Sequence, residues 1–404
     1  MFSRLGLPQI KGARCFLLAV FIDALGTGLF APFSVLYFQV RAGLPLQSIG
    51  LALSVATMAT LFAIPLTGTL VEYLGAKRVI LGTQLLQGFG FLGYLIVTNF
   101  VTLAFFALLI MVGQSMYWSA YFTLVDEVGT VEERDRWYGL VAALRASGVG
   151  LGNFLAGLIV AVTTTYGYNL VVIFNGASFF FAAGLVLFGV REAHHQQSKI
   201  QRQGYAVVLR DTTFLLQIVA NTCFTLCYSF FYLVMSVYFK TALQLPIWFI
   251  GVALGLNTGL ITIMQTVIVR WLEPFRRTRA LVTAGIIWCV WCFTTALALF
   301  LPYPLRMPYL LVTVGIQGLA EMIHTPTSMA IAAASSPEAL RGRYMAIFQY
   351  SFFLANIVAP SLFTFLFPIH AGLPWLVLAG IAIIGSLMMF WIEPHLPGQA
   401  VWTR

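Results

Sequence analysis

The amino-acid sequence predicts an all-α membrane protein in which twelve transmembrane helices form two six-helix bundles related by pseudo-two-fold symmetry. The first observation is composition: 60% of the 404 residues are hydrophobic and only 9% are charged, so a soluble globule made of this chain would have a largely apolar surface. The second is a set of twelve apolar stretches, each near the roughly 20 residues that a helix needs to cross a bilayer. The third is an internal repeat.

The repeat has an offset of 201 residues. Residues 44–53 recur as residues 245–254 with six of the ten positions identical, and the same offset places Tyr37 on Tyr238. Each copy is far too long to be a solenoid unit. Two like-oriented halves of a membrane protein imply a pseudo-two-fold axis along the membrane normal, with a site between the halves near the midplane. This organisation is typical of a transporter.

The twelve elements follow one another with short connections. The predicted spans are residues 14–38, 47–71, 79–98, 101–125, 137–161, 168–190, 212–239, 247–271, 279–301, 307–334, 341–367 and 372–392. The first is too long for a signal peptide and no small-residue cleavage site follows it, so we expect it to be retained.

The composition changes only at residues 191–211, which are polar and contain a pair of histidines. We therefore predict an N-terminal bundle over residues 1–190, a cytoplasmic linker over residues 191–211, and a C-terminal bundle over residues 212–404.

The positions of lysine and arginine predict the orientation. With the N-terminus inside, the outer segments hold only Arg41, Lys240 and Arg306 of the 22 basic residues. The positive-inside rule then predicts that both termini are cytoplasmic, and we expect the protein to lie in the plasma (inner) membrane. The net charge of +9 is explained by topology and by contact with anionic headgroups, so no nucleic-acid partner is expected.

The connection between the second and third spans carries Gly68, Glu72, Gly75, Lys77 and Arg78. Together with twelve spans in two parallel repeats, this pattern resembles the cytoplasmic loop signature of the major facilitator superfamily, with Glu in place of the usual Asp. In that family the loop latches the cytoplasmic gate, so the resemblance implies a gating role for these five residues. The alternative is a short charged turn that holds the loop inside.

Two further motifs are similar to those of drug-exporting branches of this superfamily. Residues 23–28 carry two glycines in the first span, and Pro32 beyond them is expected to kink it. The fifth span has Gly148, Gly152 and Gly157, a pattern that resembles the antiporter signature of drug:proton exporters. Glycines at this spacing let two helices approach closely. Packing without any bearing on coupling remains the alternative.

Two ionisable residues lie at nearly the same depth in the first and fifth spans. Asp23 is about nine residues from the inner end of its span, or roughly 13 Å at 1.5 Å per residue, and Arg145 is at a similar distance. A buried charge in a bilayer needs a partner, so we predict that they form an ion pair. The pair is either a structural link or part of proton coupling.

Glu321 lies near the middle of the tenth span, and His324 follows three residues later on the same face. The resemblance implies that spans one, four, seven and ten line the cavity. Burial favours the uncharged form of a carboxylic acid, so the two side chains together could load a proton on one side and release it on the other. The alternative is a polar pair that braces the kink at Pro326.

Aromatic residues on the presumed cavity spans suit bulky, apolar or cationic compounds through stacking and cation–π contact. Those predicted to bind substrate, with two polar neighbours, are Tyr117, Trp118, Tyr121, Tyr228, Tyr232, Phe33, Gln114 and Asn221. The alternative is that such stripes face lipid or neighbouring helices.

No phosphate-binding Gly-rich loop with Lys and Ser or Thr is present, so ATP is not expected to be the energy source. No motif of an enzyme is recognisable, and neither an enzyme activity nor a cofactor is expected. No second Glu-x-x-His stands on another span, and no metal site is expected.

Two functions remain. The first is a proton-coupled exporter of amphipathic or cationic drug-like molecules that works by alternating access. The second is a proton-coupled or facilitative carrier of a polar metabolite such as a sugar. A sensor or scaffold should show an extended soluble domain, which the sequence lacks. The expected partners are the substrate, protons and the lipid bilayer, and a monomer is expected because the fold's site lies within one chain.

Overall fold

Every regular element in the part of the chain that the structure describes is a helix. The computed structural model describes residues 13–128, 134–163, 165–190, 206–272, 274–337 and 340–402. Most of the predicted linker lies outside these ranges. Gly68 and Glu72 belong to a described helix, but their surroundings lie outside what the structure describes.

The chain divides into two compact units, of which the first comprises Met1–Lys199 and Ile250–Gly255. Its helices are α1 (Arg14–Phe30), α2 (Ser34–Val40), α3 (Leu46–Leu74), α4 (Ala76–Gly93), α5 (Phe100–Val128), α6 (Arg134–Thr163) and α7 (Thr165–Gly189).

The second unit comprises Ile200–Phe249 and Leu256–Arg404. Its helices are α8 (Ala206–Arg210), α9 (Thr212–Val237), α10 (Ile247–Leu272), α11 (Arg277–Leu297), α12 (Tyr303–Ser335), α13 (Arg341–Phe348), α14 (Tyr350–Leu366), α15 (Leu373–Ile392) and α16 (Gly398–Val401).

Ten helical segments among the described residues are long and apolar enough to cross a membrane. Helices α3 and α12, with 29 and 33 residues, also exceed the length of a bilayer crossing. Each predicted span falls on one of these helices or on two consecutive ones. The prediction of an all-α, multi-pass membrane fold is confirmed.

The sequence repeat is also a repeat of hydrogen bonds inside each unit. The buried hydroxyl of Tyr37 donates to the carbonyl of Tyr94 at 3.1 Å. Its counterpart Tyr238 donates to the carbonyl of Thr295 at 2.9 Å, and both bonds join residues 57 positions apart. In each unit the tyrosine thereby ties the end of one predicted span to the end of another. This explains why a tyrosine recurs at this position.

The first span is interrupted where proline was expected to kink it. Helix α1 ends at Phe30, a 3₁₀ turn covers Ala31–Phe33, and α2 begins at Ser34. Pro32 has no backbone N–H to continue the helical ladder, so the break occurs there. By contrast, α12 continues through Pro326.

Helices α1 and α6 approach each other closely at glycines on both helices. A Cβ atom added to Gly28 would lie 2.3 Å from the carbonyl oxygen of Val149, and one added to Gly152 would lie 2.2 Å from that of Leu25. A Cβ at Gly148 would lie 2.8 Å from the carbonyl oxygen of Phe21. The glycines of the predicted antiporter signature therefore set the backbone distance between these two helices.

This packing generates a stability prediction. We expect Gly152→Ala to lower the free energy of unfolding by about 1–3 kcal/mol, because the added methyl group must push α6 away from α1. The control is Gly82→Ala in α4, where an added Cβ meets nothing within 4 Å and alanine should stabilise the helix by roughly 0.5–1 kcal/mol. Thermal unfolding of both purified variants in detergent measures the difference. Equal stability of the two variants would contradict the close packing.

Candidate functional site

The first candidate site is the predicted ion pair between α1 and α6. The Arg145 Nη1 atom lies 3.0 Å from Asp23 Oδ2, and the two side chains are 16% and 5% exposed. Gln84 on α4 donates from Nε2 to the other carboxylate oxygen, Oδ1, at 3.3 Å. The predicted pairing is confirmed, and both oxygens of the aspartate have a donor.

Aromatic side chains on α5 surround the arginine of this pair. The guanidinium group of Arg145 lies 4.4 Å from the ring centroid of Trp118 and 6.0 Å from that of Tyr117. These two rings and the ring of Tyr121 contact one another, with centroids 5.4 to 5.9 Å apart. Cation–π attraction and the carboxylate together stabilise the buried cation. Three side chains predicted to bind substrate thus pack around Arg145 or its aromatic neighbours.

The second candidate site is centred on Glu321 in α12. Gln317, one turn earlier, donates from Nε2 to Glu321 Oε2 at 3.0 Å. The hydroxyl of Tyr232 on α9 donates to the two carboxylate oxygens at 3.3 and 3.4 Å. Asn257 on α10 donates from Nδ2 to Tyr232 Oη at 3.0 Å and to Glu321 Oε2 at 3.5 Å. We call these four residues the Glu321 cluster, which joins three helices of the second unit.

Glu321 differs from the other buried acidic residues because none of the described ion pairs neutralises its charge. The buried acidic residues among those described are Asp23, Glu321 and Glu393. Asp23 has its arginine, and Glu393 forms ion pairs with Arg276 and Arg279 at 2.8 and 3.0 Å. None of the ion pairs found in the described ranges involves Glu321. The residue is 9% exposed, and its carboxylate accepts hydrogen bonds from neutral donors.

His324 has hydrogen-bond and aromatic partners other than Glu321. Its Nε2 atom lies 2.9 Å from Asn221 Oδ1, and Asn221 Nδ2 donates to Ser351 Oγ at 2.7 Å. Among the hydrogen bonds of the described chain, none joins His324 to Glu321. Residues three apart on a helix are offset by about 60° around its axis, which is enough for them to face different neighbouring helices.

The imidazole ring of His324 is also enclosed by aromatic rings. Its centroid lies 4.9 Å from that of Trp288 on α11 and 5.7 Å from that of Phe224 on α9. The residue is 1% exposed. Asn221, predicted to bind substrate, is engaged in bridging this histidine to α14.

The other predicted substrate residues are divided between the two units. Tyr228 lies beside Tyr232, with ring centroids 4.7 Å apart, and therefore borders the Glu321 cluster. Phe33 is fully buried and lies 6.5 Å from the ring of Tyr168. Gln114 is partly buried on α5.

The predicted gating residues lie around the connection from α3 to α4 and on α6. Gly75 joins α3 to α4 with a φ of 83°, a conformation that glycine adopts without steric cost. Lys77 donates from Nζ to the carbonyl of Leu187 at 3.0 Å, which ties this connection to α7. Arg78 follows on α4, and Gly157 continues the glycine series on α6.

Gln84, Asn257 and Gln317 are not among the site residues predicted from the sequence. Each is an amide in an apolar span, and Gln317 stands four residues before an acid, which is the spacing of side-chain neighbours on a helix. Both features are readable from the sequence. The contacts of Gln84 and Asn257 run between helices, and no spacing along the chain indicates them.

Comparison with known proteins agrees with this architecture. A Na⁺, Li⁺ and K⁺/H⁺ antiporter of Planococcus maritimus is 19% identical over 398 residues, covering 89% of this chain and 91% of that protein. A crystal structure of a nucleoside transporter superimposes with a TM-score of 0.78 at 12% identity, over 94% of this chain and 98% of that one. A peptide transporter structure gives a TM-score of 0.75 at 15% identity, over 98% of both chains.

The family model described as Major Facilitator Superfamily matches residues 16–305 and 218–401, so that the two matches together cover nearly the whole chain. Helical spans, the internal repeat and these matches lead to the same conclusion: the chain belongs to the Major Facilitator Superfamily and is a membrane transporter, not an enzyme.

Proposed function

We propose that the protein is a proton-coupled exporter of cationic, amphipathic drug-like molecules, in which Glu321 binds either a proton or the positive group of the substrate. The observation that carries the proposal is a buried carboxylate that none of the ion pairs found in the described ranges includes. Transport by alternating access then exchanges the two ligands.

The physical argument rests on the cost of an uncompensated charge inside a membrane. An ionised side chain there costs several kcal/mol unless it is paired or hydrated. The neutral donors Gln317, Asn257 and Tyr232 reduce this cost without supplying a positive charge. A proton or a bound cation removes the charge completely. Because one carboxylate accepts only one of them at a time, binding of each displaces the other.

The surroundings of Glu321 favour a cationic substrate. The rings of Tyr228 and Tyr232 lie 4.7 Å apart, and the hydroxyl of Tyr232 reaches the carboxylate. Aromatic faces and a carboxylate are the groups that recognise organic cations. Exchange against protons is also supported by the relative that is named as an antiporter of cations and protons.

We assign the Asp23–Arg145 pair a structural role. Its aspartate is already neutralised by an arginine at 3.0 Å, so an exchanging proton or cation would first have to displace that arginine. The aromatic packing around Arg145 further holds it in place. We also propose that the connection at Gly75 and Lys77 acts in gating, that both termini are cytoplasmic in a plasma (inner) membrane, and that the transporter is a monomer.

A second candidate function is transport of a polar metabolite, such as a sugar, by symport or uniport. The buried amides Gln84, Gln317 and Asn257 favour it, because amide groups bind hydroxyl-rich ligands. The nucleoside and peptide transporters of the same fold carry polar solutes.

The first prediction concerns the exchange acid. We expect Glu321→Gln to abolish the dependence of ethidium efflux on the pH gradient, because glutamine cannot exchange a proton for a cation. Efflux is measured from energised cells across pH 6 to 8. The matched control is Glu393→Gln, which neutralises a buried acid that is ion-paired with two arginines and should leave the pH dependence intact.

Three outcomes of this experiment are informative. Export by the wild type that responds to pH, and loses that response only in Glu321→Gln, supports the proposal. Unchanged pH dependence in Glu321→Gln would remove Glu321 from the coupling step. If the wild type exports no ethidium, the drug-export proposal is wrong and sugar uptake should be assayed.

The second prediction concerns the ion pair. We expect Asp23→Asn and Arg145→Gln each to destabilise the protein by roughly 3–5 kcal/mol, since each leaves one buried charge without its partner. The double variant should recover much of this loss and keep pH-dependent efflux. Thermal unfolding and ethidium efflux of the three variants provide the measurements. A folded double variant without pH dependence would show that Asp23, not Glu321, is the coupling acid.

A further inference from the structure

The Glu321 cluster contains two buried acceptors without a hydrogen bond. In the part of the chain that the structure describes, Asn257 Oδ1 and Gln317 Oε1 have no partner, and both residues are 0% exposed. Buried polar atoms are nearly always satisfied, and each one that is not requires an explanation. Here the two unsatisfied oxygens belong to the same two amides that touch the carboxylate of Glu321.

A half-turn of each amide group would exchange its nitrogen and oxygen. The oxygen and the NH₂ group of an amide have almost the same shape, so the orientation of the amide depends on the partners that each end binds. At present the nitrogens of Gln317 and Asn257 lie 3.0 and 3.5 Å from Glu321 Oε2. After the turn, both amide oxygens would occupy these positions. The two amide oxygens and the hydroxyl oxygen of Tyr232 would then lie within 3.5 Å of Glu321 Oε2, so that four side chains would offer oxygen ligands at one place.

Such a set of ligands selects a particular class of ion. Oxygen ligands without sulfur or imidazole suit hard cations. The cluster has a single negative charge, so a monovalent cation makes it neutral, whereas a divalent ion would leave an excess charge inside the membrane. Within the described ranges, no group of three or more His, Cys, Asp or Glu residues could hold a metal ion, which argues against a multi-acid divalent site.

We infer that the Glu321 cluster binds a dehydrated alkali-metal cation, such as Na⁺, through the carboxylate, the Tyr232 hydroxyl and the turned amide oxygens of Asn257 and Gln317. The inference rests on the proposed function in taking Glu321 as the exchange site. It adds an inorganic substrate class: the transporter exchanges alkali cations for protons in addition to organic cations.

The backbone of α12 supports this assignment. A Cβ atom added to Gly318 would lie only 2.6 Å from Asn257 Oδ1, so the absence of a side chain there leaves space for the asparagine amide. A methyl group at this position would displace the amide from the cluster. Gly315, one turn earlier on the same helix, has nothing within 4 Å of such an atom and provides a matched control.

The experiment uses purified full-length protein in proteoliposomes that hold a preset pH gradient. Addition of NaCl, LiCl or KCl should collapse the gradient, as reported by an acridine dye, whereas choline chloride at equal ionic strength should not. We expect Asn257→Leu and Gly318→Ala to weaken the apparent affinity for Na⁺ at least tenfold, and thermal unfolding of both variants in detergent shows that they are folded. Gly315→Ala should behave as wild type, and Glu321→Gln should abolish both exchanges.

The other outcomes separate this inference from the proposed function. If alkali cations leave the gradient unchanged while ethidium still exchanges for protons, the alkali-cation site is wrong and the exporter proposal stands. Collapse by Na⁺ that is unaffected in Asn257→Leu and Gly318→Ala would show that the ion does not use these oxygens. If neither Na⁺ nor ethidium exchanges for protons, both proposals fail. Binding of Na⁺ to detergent-solubilised protein, measured by calorimetry against choline chloride, gives a readout independent of transport.

Discussion

A charge inside the hydrocarbon core of a membrane must be neutralised, and this requirement organises the functional parts of the protein. The chain meets it in two ways. In the first unit, Asp23 and Arg145 neutralise each other at 3.0 Å. In the second unit, the carboxylate of Glu321 is held by neutral donors alone among its described contacts. The first arrangement is complete within the protein, whereas we propose that a ligand completes the second.

The fold places these groups through close contact between helices. Glycines 28, 148 and 152 remove the side chains that would separate α1 from α6, and this proximity allows an aspartate on one helix to reach an arginine on the other. Around Glu321, polar side chains connect the helices. Tyr232 on α9 and Asn257 on α10 both donate hydrogen bonds to the carboxylate on α12. In a bilayer the hydrophobic effect does not hold helices together, so packing and hydrogen bonds of this kind provide specificity.

Part of the site was predictable from depth in the membrane. Asp23 and Arg145 lie at nearly equal distances from the inner ends of their spans, opposite charges at the same depth attract, and the structure contains the pair. The contacts of His324 were not predictable in this way, because the side chain packs against Trp288 and Asn221 on other helices. Spacing along a helix does not reveal which neighbouring helix each side chain faces.

The class of the protein, its apolar spans and its repeat can all be read from the sequence, because a lipid environment permits few backbone structures and demands long apolar helices. The sequence also singled out Glu321 as an acid deep in an apolar stretch. The side chains that contact this acid become known only from the folded chain. Asn257 is 64 positions from Glu321 along the chain, and the contact arises from the rotation of each helix about its own axis, which packing sets and no local pattern encodes.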